Sequence, residues 1–280
     1  MPSVLISGTS RGIGRATALR LARAGWDVYA GVRRTEDGEE LAAAAPADRL
    51  RPVILDVTDD GQVAALDAEL PERLDGLVNN AGIVVPGPLE SLTAEEVRHQ
   101  FEVNVVGVVS LTNAMLPRLR ASRGRIVFVS SLSGRISTPM TGAYNASKFA
   151  LEGLADAWRV ELRPWGIAVS LVEPAMTDTD LWRLAPDTFS ATEAGMSAEH
   201  RELYASHLEG MRRTIPRVQR LAKPVDGVAA VIERALTASR PRARYLVGVD
   251  VKAQAALSSV TPTPVLDRVN GFLTGVPAKA

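Results

Sequence analysis

The sequence predicts an α/β fold: a doubly wound parallel sheet, with the chain 1–280 forming a single domain. Three observations carry this. Short apolar runs alternate with longer amphipathic ones through the first two thirds of the chain. Glycine and polar turn residues punctuate the alternation, and helix start and stop signals lie between the runs. Taken in order, residues 3–7 (SVLIS) read as a buried strand ending in a Gly-rich turn, and residues 12–24 read as a helix closed by Gly25. Strands follow at 28–32, 53–55 and 74–78, separated by polar helical segments at 35–45 and 59–70. Thr93, with Glu96 as its capping-box partner, starts a long helix to about 121, with Pro117 near its last turn. Residues 125–130 (RIVFVS) make the fifth strand, about 142–163 a helix, and 167–172 the sixth strand. An irregular, partly helical insertion spans 180–223, in which Tyr204, Leu208, Met211 and Ile215 share one helical face. A helix near 225–238, a strand at 245–249 and an extension over 250–280 complete the chain. Such regular alternation implies helices on both faces of a parallel sheet, with right-handed crossovers. Ligands of such sheets bind beyond the carboxyl ends of the strands, where the strand order reverses.

Composition removes several function classes. The 32 basic and 32 acidic side chains cancel, which argues against nucleic acid as a partner. The absence of cysteine excludes disulfides and thiol chemistry, and three scattered histidines leave little material for a metal site, so none is expected. His200 and His207 are seven apart, but without further ligands they do not make one. No signal peptide is recognised and no apolar run approaches the ~20 residues of a membrane span, so a cytoplasmic protein is expected. Only four of the basic residues are lysines: Lys148, Lys223, Lys252 and Lys279. A motif requiring lysine at a fixed position therefore seldom arises by accident.

Two motifs carry chemistry. The first turn reads GTSRGIG at 8–14, comprising Gly8, Ser10, Arg11, Gly12, Ile13 and Gly14. Small residues at these points, after a strand and opening a helix, let the backbone approach a pyrophosphate at the helix N-terminus. The spacing is GxxxGxG rather than GxGxxG. Further on, YNASK at 144–148 puts the phenol of Tyr144 and the ammonium of Lys148 on one helical face. With four Tyr and four Lys in the chain, only about 0.06 such pairs are expected by chance. A fixed cation favours a nearby phenolate and draws its pKa down from about 10. Such a tyrosine can protonate a carbonyl oxygen under reduction or deprotonate an alcohol under oxidation. Ser131 closes the fifth strand, Asn104 lies oddly inside the long helix, and NNAG at 79–82 closes the fourth strand.

With these residues in order, the chain resembles the short-chain dehydrogenase/reductase family over residues 3–250. The resemblance rests on GTSRGIG, Asp56 and Val57, NNAG, Asn104, Ser131, YNASK and the segment PAMTDT at 174–179. It implies a Rossmann-type sheet and a catalytic set of Asn104, Ser131, Tyr144 and Lys148. Tyr144 would be the general acid/base, Lys148 its pKa-lowering and ribose-binding partner, Ser131 a hydrogen-bond donor to the substrate oxygen, and Asn104 the holder of a relay water. It further implies Asp56 and Val57 at an adenine, and Asn80, Ala81 and Gly82 near a ribose. Pro174, Thr177 and Thr179 would lie at a nicotinamide carboxamide. Ala175 stands where the family usually has Gly.

Electrostatics points the cofactor to NADP. An NAD enzyme of this fold needs an acid at the end of the second strand for the ribose 2′-hydroxyl. Here that position is Val32, followed by Arg33 and Arg34, with Arg11 able to face the same pocket. Planar cations suit a 2′-phosphate. By position the 180–223 insertion is a substrate lid. Leu181, Trp182, Leu184, Phe189, Met196, Tyr204, Leu208 and Met211, with Val84, Val85, Pro139 and Met140, suggest a pocket for a hydrophobic carbonyl compound or secondary alcohol, or simply lid packing. Residues 244–252 (RYLVGVDVK) resemble the retinol and hydroxysteroid dehydrogenase branch of the family. Arg212, Arg213, Arg217 and Arg220 read as a solvated basic face. By resemblance, pairing of copies through the helices near 93–121 and 142–163 gives a homodimer or homotetramer. Two other activities use the same residues: a non-redox elimination or isomerisation, and sensing of NADP(H) without turnover. The complete Ser–Tyr–Lys–Asn set disfavours the sensor.

Overall fold

The structure, a computed structural model, describes residues 1–276, so Lys279 and the last four residues of the C-terminal extension lie outside it. The apolar runs become strands: Ser3–Ile6 (β1), Asp27–Val32 (β2), Leu50–Ile54 (β3), Gly76–Asn79 (β4), Arg125–Val129 (β5), Ala168–Pro174 (β6) and Arg244–Val247 (β7). They form one sheet in the order β3-β2-β1-β4-β5-β6-β7, with every pairing parallel. The order reverses between β1 and β4. At the sheet edge, the third strand is longer at its start than the apolar pattern suggests, because Leu50 to Ile54 pair in register with Val28 to Val32. It includes Pro52, whose missing N–H is tolerated because β3 is an edge strand.

Helices cover both faces. Gly12–Arg23 (α1), Thr35–Ala43 (α2) and Val225–Thr237 (α11) lie on one side. Asp60–Glu69 (α3), Gly107–Ser122 (α5) and Gly142–Glu161 (α6) lie on the other. β5 displays the alternation that makes this possible: Ile126 and Phe128 enter one core, Val127 and Val129 the other. Phe128 stacks on Trp158 of α6 with ring centroids 5.3 Å apart, fixing that helix against the sheet.

Two expectations need correction. The helix expected from Thr93 to about 121 is not continuous: Ala94–Phe101 (α4) passes through a π-helical turn, Glu102–Val106, before α5 begins. The Thr93–Glu96 capping box is present in full. Gly107 explains the wider turn, since a Cβ there would stand 2.7 Å from the Val57 carbonyl oxygen and the helix must press close to that backbone. The insertion is also more regular than expected. It folds as Asp180–Arg183 (α7), Ala185–Gly195 (α8), Ala198–Leu203 (α9) and Ala205–Leu221 (α10). The extension adds Val249–Val260 (α12) and Thr263–Thr274 (α13). Among the described residues no helix is long and apolar enough to cross a membrane.

Candidate active site

The β1–α1 turn lies at the point where the strand order reverses. Gly8 (φ +68°) and Gly12 (φ +58°) adopt left-handed backbone that other residues resist. Thr9 binds this turn to β2, its N–H and Oγ1 reaching the Gly31 carbonyl at 2.9 and 3.0 Å. Gly14 is excluded from carrying a side chain by contact, because a Cβ would lie 2.1 Å from the Gly8 carbonyl oxygen. No side chain caps the N-terminus of α1. Thr179 closes over the turn from the far side, with its methyl 3.4 Å from where a Gly12 Cβ would be. This is a backbone cradle with a helix N-terminus facing it, the form a diphosphate requires.

Asn80 stands beneath the cradle. Its Nδ2 donates to the carbonyls of Ser7 (3.0 Å) and Gly8 (2.8 Å), while Ser7 Oγ accepts the N–H groups of Asn80 and Ala81. Ser7, a residue the motifs do not single out, thus locks β1 to the NNAG turn. Asn104 holds the other end of that turn. It lies in the π-helical turn, and its Oδ1 accepts from Ile83 N (2.9 Å) while its Nδ2 donates to Ile83 O and Ser147 Oγ (both 3.0 Å). One helical turn earlier, Gln100 repeats the device, accepting from Val85 N at 2.7 Å and donating to Ile83 O at 2.9 Å.

Beyond β5, Ser131 caps a short 3₁₀ turn, accepting from Ser133 N. Its hydroxyl faces Tyr144 on the first turn of α6. Lys148 lies one turn further along, its Nζ 5.8 Å from the Tyr144 ring centroid and donating to the Val129 carbonyl at 2.9 Å. The phenol does not follow the expected downward shift. Burial pushes the Tyr144 pKa up, opposed by the hydrogen-bonding influence of Ser131. Burial also lowers Lys148 to about 8, with Glu152 pulling the other way, so part of the expected cationic influence is lost at alkaline pH.

The comparisons with known proteins give the family. Residues 2–188 match the short chain dehydrogenase family. The chain belongs to that family. It is 36% identical to retinol dehydrogenase 16 of Mus musculus, over 99% of this chain and 90% of that protein. It is 31% identical to the NADPH-dependent 3-dehydrocapnine reductase of Ornithobacterium rhinotracheale, over 96% of each. A crystal structure of a short chain dehydrogenase from Burkholderia cenocepacia in complex with NADP superposes with a TM-score of 0.75. That likeness is at 25% identity and covers 96% of this chain and 97% of that one. The chain is therefore an oxidoreductase of the short-chain dehydrogenase/reductase type, and its tail resembles the retinol dehydrogenase branch.

Other expected residues of this short-chain dehydrogenase occupy the same end of the sheet. Asp56 accepts from Thr58 N and Oγ1 at 3.0 and 2.7 Å. Burial acts to raise its pKa, but these bonds, with Arg33 and His99, hold the carboxyl below its usual range. Val57 is buried under Gly107. Pro174 ends β6, and Thr177 donates to the Ala175 carbonyl at 3.1 Å. Arg33 and Arg34 are exposed after β2, and Arg11 pairs with Asp180 at 3.5 Å across the cleft. The arginines are not free of acid: Asp37, in the first turn of α2, lies among all three and bonds Arg34. Val32 itself carries no acid, and Asp37 stands in α2, past the strand end that the rule covers. Within the 180–223 insertion, Phe189, Met196, Leu208 and Ile215 pack on Met140, with Tyr204 and Met211 beside them. That is a packed core of the insertion rather than an open pocket. The Leu181 side chain lies outside the described residues. Among the described residues no cluster of metal-ligand type is present.

Proposed function

We propose that this chain uses NADP(H) to interconvert a hydrophobic ketone or aldehyde and its alcohol, with Tyr144 as general acid/base. The observation that carries this reading is the meeting of Ser131, Tyr144 and Lys148 on the cradle's side of the sheet, at the carboxyl end of β5. The NADPH dependence of the 3-dehydrocapnine reductase and the NADP in the Burkholderia cenocepacia complex support the cofactor class.

Gly8, Ser10, Gly12, Ile13 and Gly14 hold the diphosphate, and Arg11, Arg33 and Arg34 receive the 2′-phosphate. Asp56 and Val57 border the adenine, and Asn80, Ala81 and Gly82 its ribose. Lys148 holds the nicotinamide ribose, while Pro174, Thr177 and Thr179 meet the carboxamide. When bound, the nicotinamide ring supplies or accepts the hydride. In reduction, the Tyr144 O–H delivers its proton to the carbonyl oxygen and Ser131 donates a hydrogen bond to that same oxygen. The raised phenol suits a proton donor at neutral pH. Lys148, while charged, stabilises the phenolate left behind. The Asn104 side chain is fully engaged by Ile83 and Ser147. Any relay water is therefore assigned to a backbone carbonyl of the π-helical turn, where i→i+5 pairing disturbs the usual helix bonds.

In the same reading the chain is one domain and works in the cytoplasm. It forms a homodimer or homotetramer, supported by the exposed apolar side chains Val106, Phe149 and Val160 along the π-turn and α6. The test is NADPH absorbance decay against a panel of aldehydes, ketones and quinones, with secondary alcohols for the reverse reaction. Tyr144→Phe is expected to cut turnover by about 10²- to 10⁴-fold while leaving NADPH binding nearly unchanged. Wild-type rates in the variant overturn the Tyr144 assignment, and clear preference for NADH overturns the cofactor. NADPH binding with no turnover on any of these compounds would favour a sensor.

A further inference from the structure

Behind Lys148 lies a chain of charges that the reaction described above does not use. Glu152, one helical turn after Lys148 on α6, is buried, as is Lys148 itself. Glu152 Oε2 accepts from Arg244 Nε at 3.0 Å. Its Oε1 and the neighbouring Ser130 hydroxyl are both buried without an ordinary hydrogen bond. Arg244, on β7, also reaches Asp156 at 2.8 Å and Glu173 at 3.6 Å. Glu173, at the end of β6, is wholly buried and bonded by Arg135 from the loop after β5. Arg159 pairs with Asp156 at the outer end. Counted along this chain, four cations (Lys148, Arg135, Arg159, Arg244) face three anions (Glu152, Asp156, Glu173).

The arrangement is costly for a purely mechanical tie. A carboxylate and an ammonium taken from water both lose solvation, and apolar packing would join α6 to β7 with less penalty. The Glu152 carboxyl is the oddest member, because its Oε1 is buried, with only the Ser130 hydroxyl acting on it and no full-strength bond. An anion one turn from a buried ammonium has one clear electrostatic effect: it makes proton loss from that ammonium harder.

We propose that Glu152, anchored by Arg244, is a positioning residue whose carboxylate keeps the Lys148 ammonium charged beside Tyr144. The proposal rests on the reading of Lys148 as the partner of Tyr144. The charged or titratable groups facing the pair are Tyr144 on α6, Glu173 on β6, Arg244 on β7 and Arg135 on the loop after β5. Glu152 is the charge that acts on Lys148 against its burial, while Glu173 and Arg244 act on Glu152 in opposite senses.

Lysine labelled with ¹³C at Cε gives a direct readout, because the chain has only four lysines. Lys148→Met identifies the Lys148 signal by its loss. In the wild type that signal is expected to titrate at about 8. In Glu152→Gln the midpoint is expected to fall by about one unit, and the alkaline limb of kcat to move down with it. Glu152→Asp, which keeps the charge, is expected to restore most of the shift. An unchanged Lys148 midpoint in folded Glu152→Gln overturns the proposal and leaves Glu152 as a strut between α6 and β7. The wild-type curve is a second test that needs no variant. The Lys148 signal is expected to respond again in acid, as the carboxyl of Glu152, raised by burial, takes its proton. A curve with a single inflection also overturns the proposal. The titration needs no turnover, so failure of the Tyr144 reading would show separately, as undiminished rates in Tyr144→Phe.

Discussion

Arg34 holds Asp37 through two contacts, Nε to Oδ2 at 3.0 Å and Nη2 to Oδ1 at 2.6 Å. The pair sits at the carboxyl end of β2, where the 2′-phosphate is proposed to lie, and Arg11 and Arg33 add to the positive field on Asp37. Asp37 competes with the phosphate for the same guanidinium. Asp37→Asn is therefore expected to lower the KM for NADPH by about two- to fivefold, the range of an exposed ion pair. The KM for NADH should stay the same or rise. The check is the kcat/KM ratio for the two cofactors; an unchanged ratio would remove Arg34 from the phosphate site.

Glycine substitutions separate space from propensity. In a helix interior Gly→Ala is ordinarily stabilising. At Gly14 the new Cβ would meet the Gly8 carbonyl at 2.1 Å and Asn80 Nδ2 at 2.5 Å. Gly14→Ala is expected to destabilise by about 3 kcal/mol and to abolish NADPH binding. Gly153, exposed in the middle of α6, has nothing within 4 Å of where a Cβ would stand. Gly153→Ala is expected to stabilise by about 0.5–1 kcal/mol with unchanged kinetics. Thermal unfolding and NADPH fluorescence read both.

Asn104 supports the NNAG turn whatever its part in proton transfer. Asn104→Ala removes the partner of Ile83 N and one of the two partners of Ile83 O and of Ser147 Oγ, which keep Gln100 Nε2 and the Tyr144 carbonyl. With the Ile83 N–H left unpartnered in a part-buried turn, about 1–3 kcal/mol of stability is expected to be lost. Urea unfolding measures this directly, and a loss below 1 kcal/mol (about one ordinary hydrogen bond) would show that water replaces the amide.

Lys148 illustrates a conflict between stability and chemistry. Its folded pKa of about 8 lies below the ordinary 10.5, so the unfolded chain binds more protons between those values. Wild-type stability consequently rises as pH increases from about 8 to 10.5, and the burial cost is constant below that window. Lys148→Met is expected to be more stable than wild type at pH 7 by about 1–3 kcal/mol, and inactive. The advantage should shrink as pH rises through the window. Melting temperatures of the two proteins across that range test the sign.

Much of this was legible in the sequence because it depends on local signals. Gly8, Gly12 and Gly14 are required by backbone geometry at one turn, and Tyr144 and Lys148 share a helical face by spacing alone. The family motifs add Asn104 and Ser131. What escaped was set by contacts distant in sequence. The π-turn at Glu102–Val106 follows from the approach of Gly107 to Val57, 50 residues earlier. Glu152 and Arg244 are 92 residues apart, and neither carries a local pattern that announces the other. The upward shift of Tyr144 depends on burial, which the Tyr–Lys spacing cannot report.

The 180–223 insertion also proves less independent than its position in the chain suggests. Gly210 of α10 lies against the end of α13, where a Cβ would stand 2.6 Å from the Thr274 carbonyl oxygen and 2.7 Å from that of Gly275. Asn270 of the same terminal helix donates to the Ser137 carbonyl at 3.1 Å, six residues from Ser131. The insertion is thus fastened to the last helix, and that helix to the loop after β5. On the proposed reading of the insertion as a lid, selectivity is expected to change by exchange of α10 together with α13 as a cassette, with Tyr144 and Lys148 left in place.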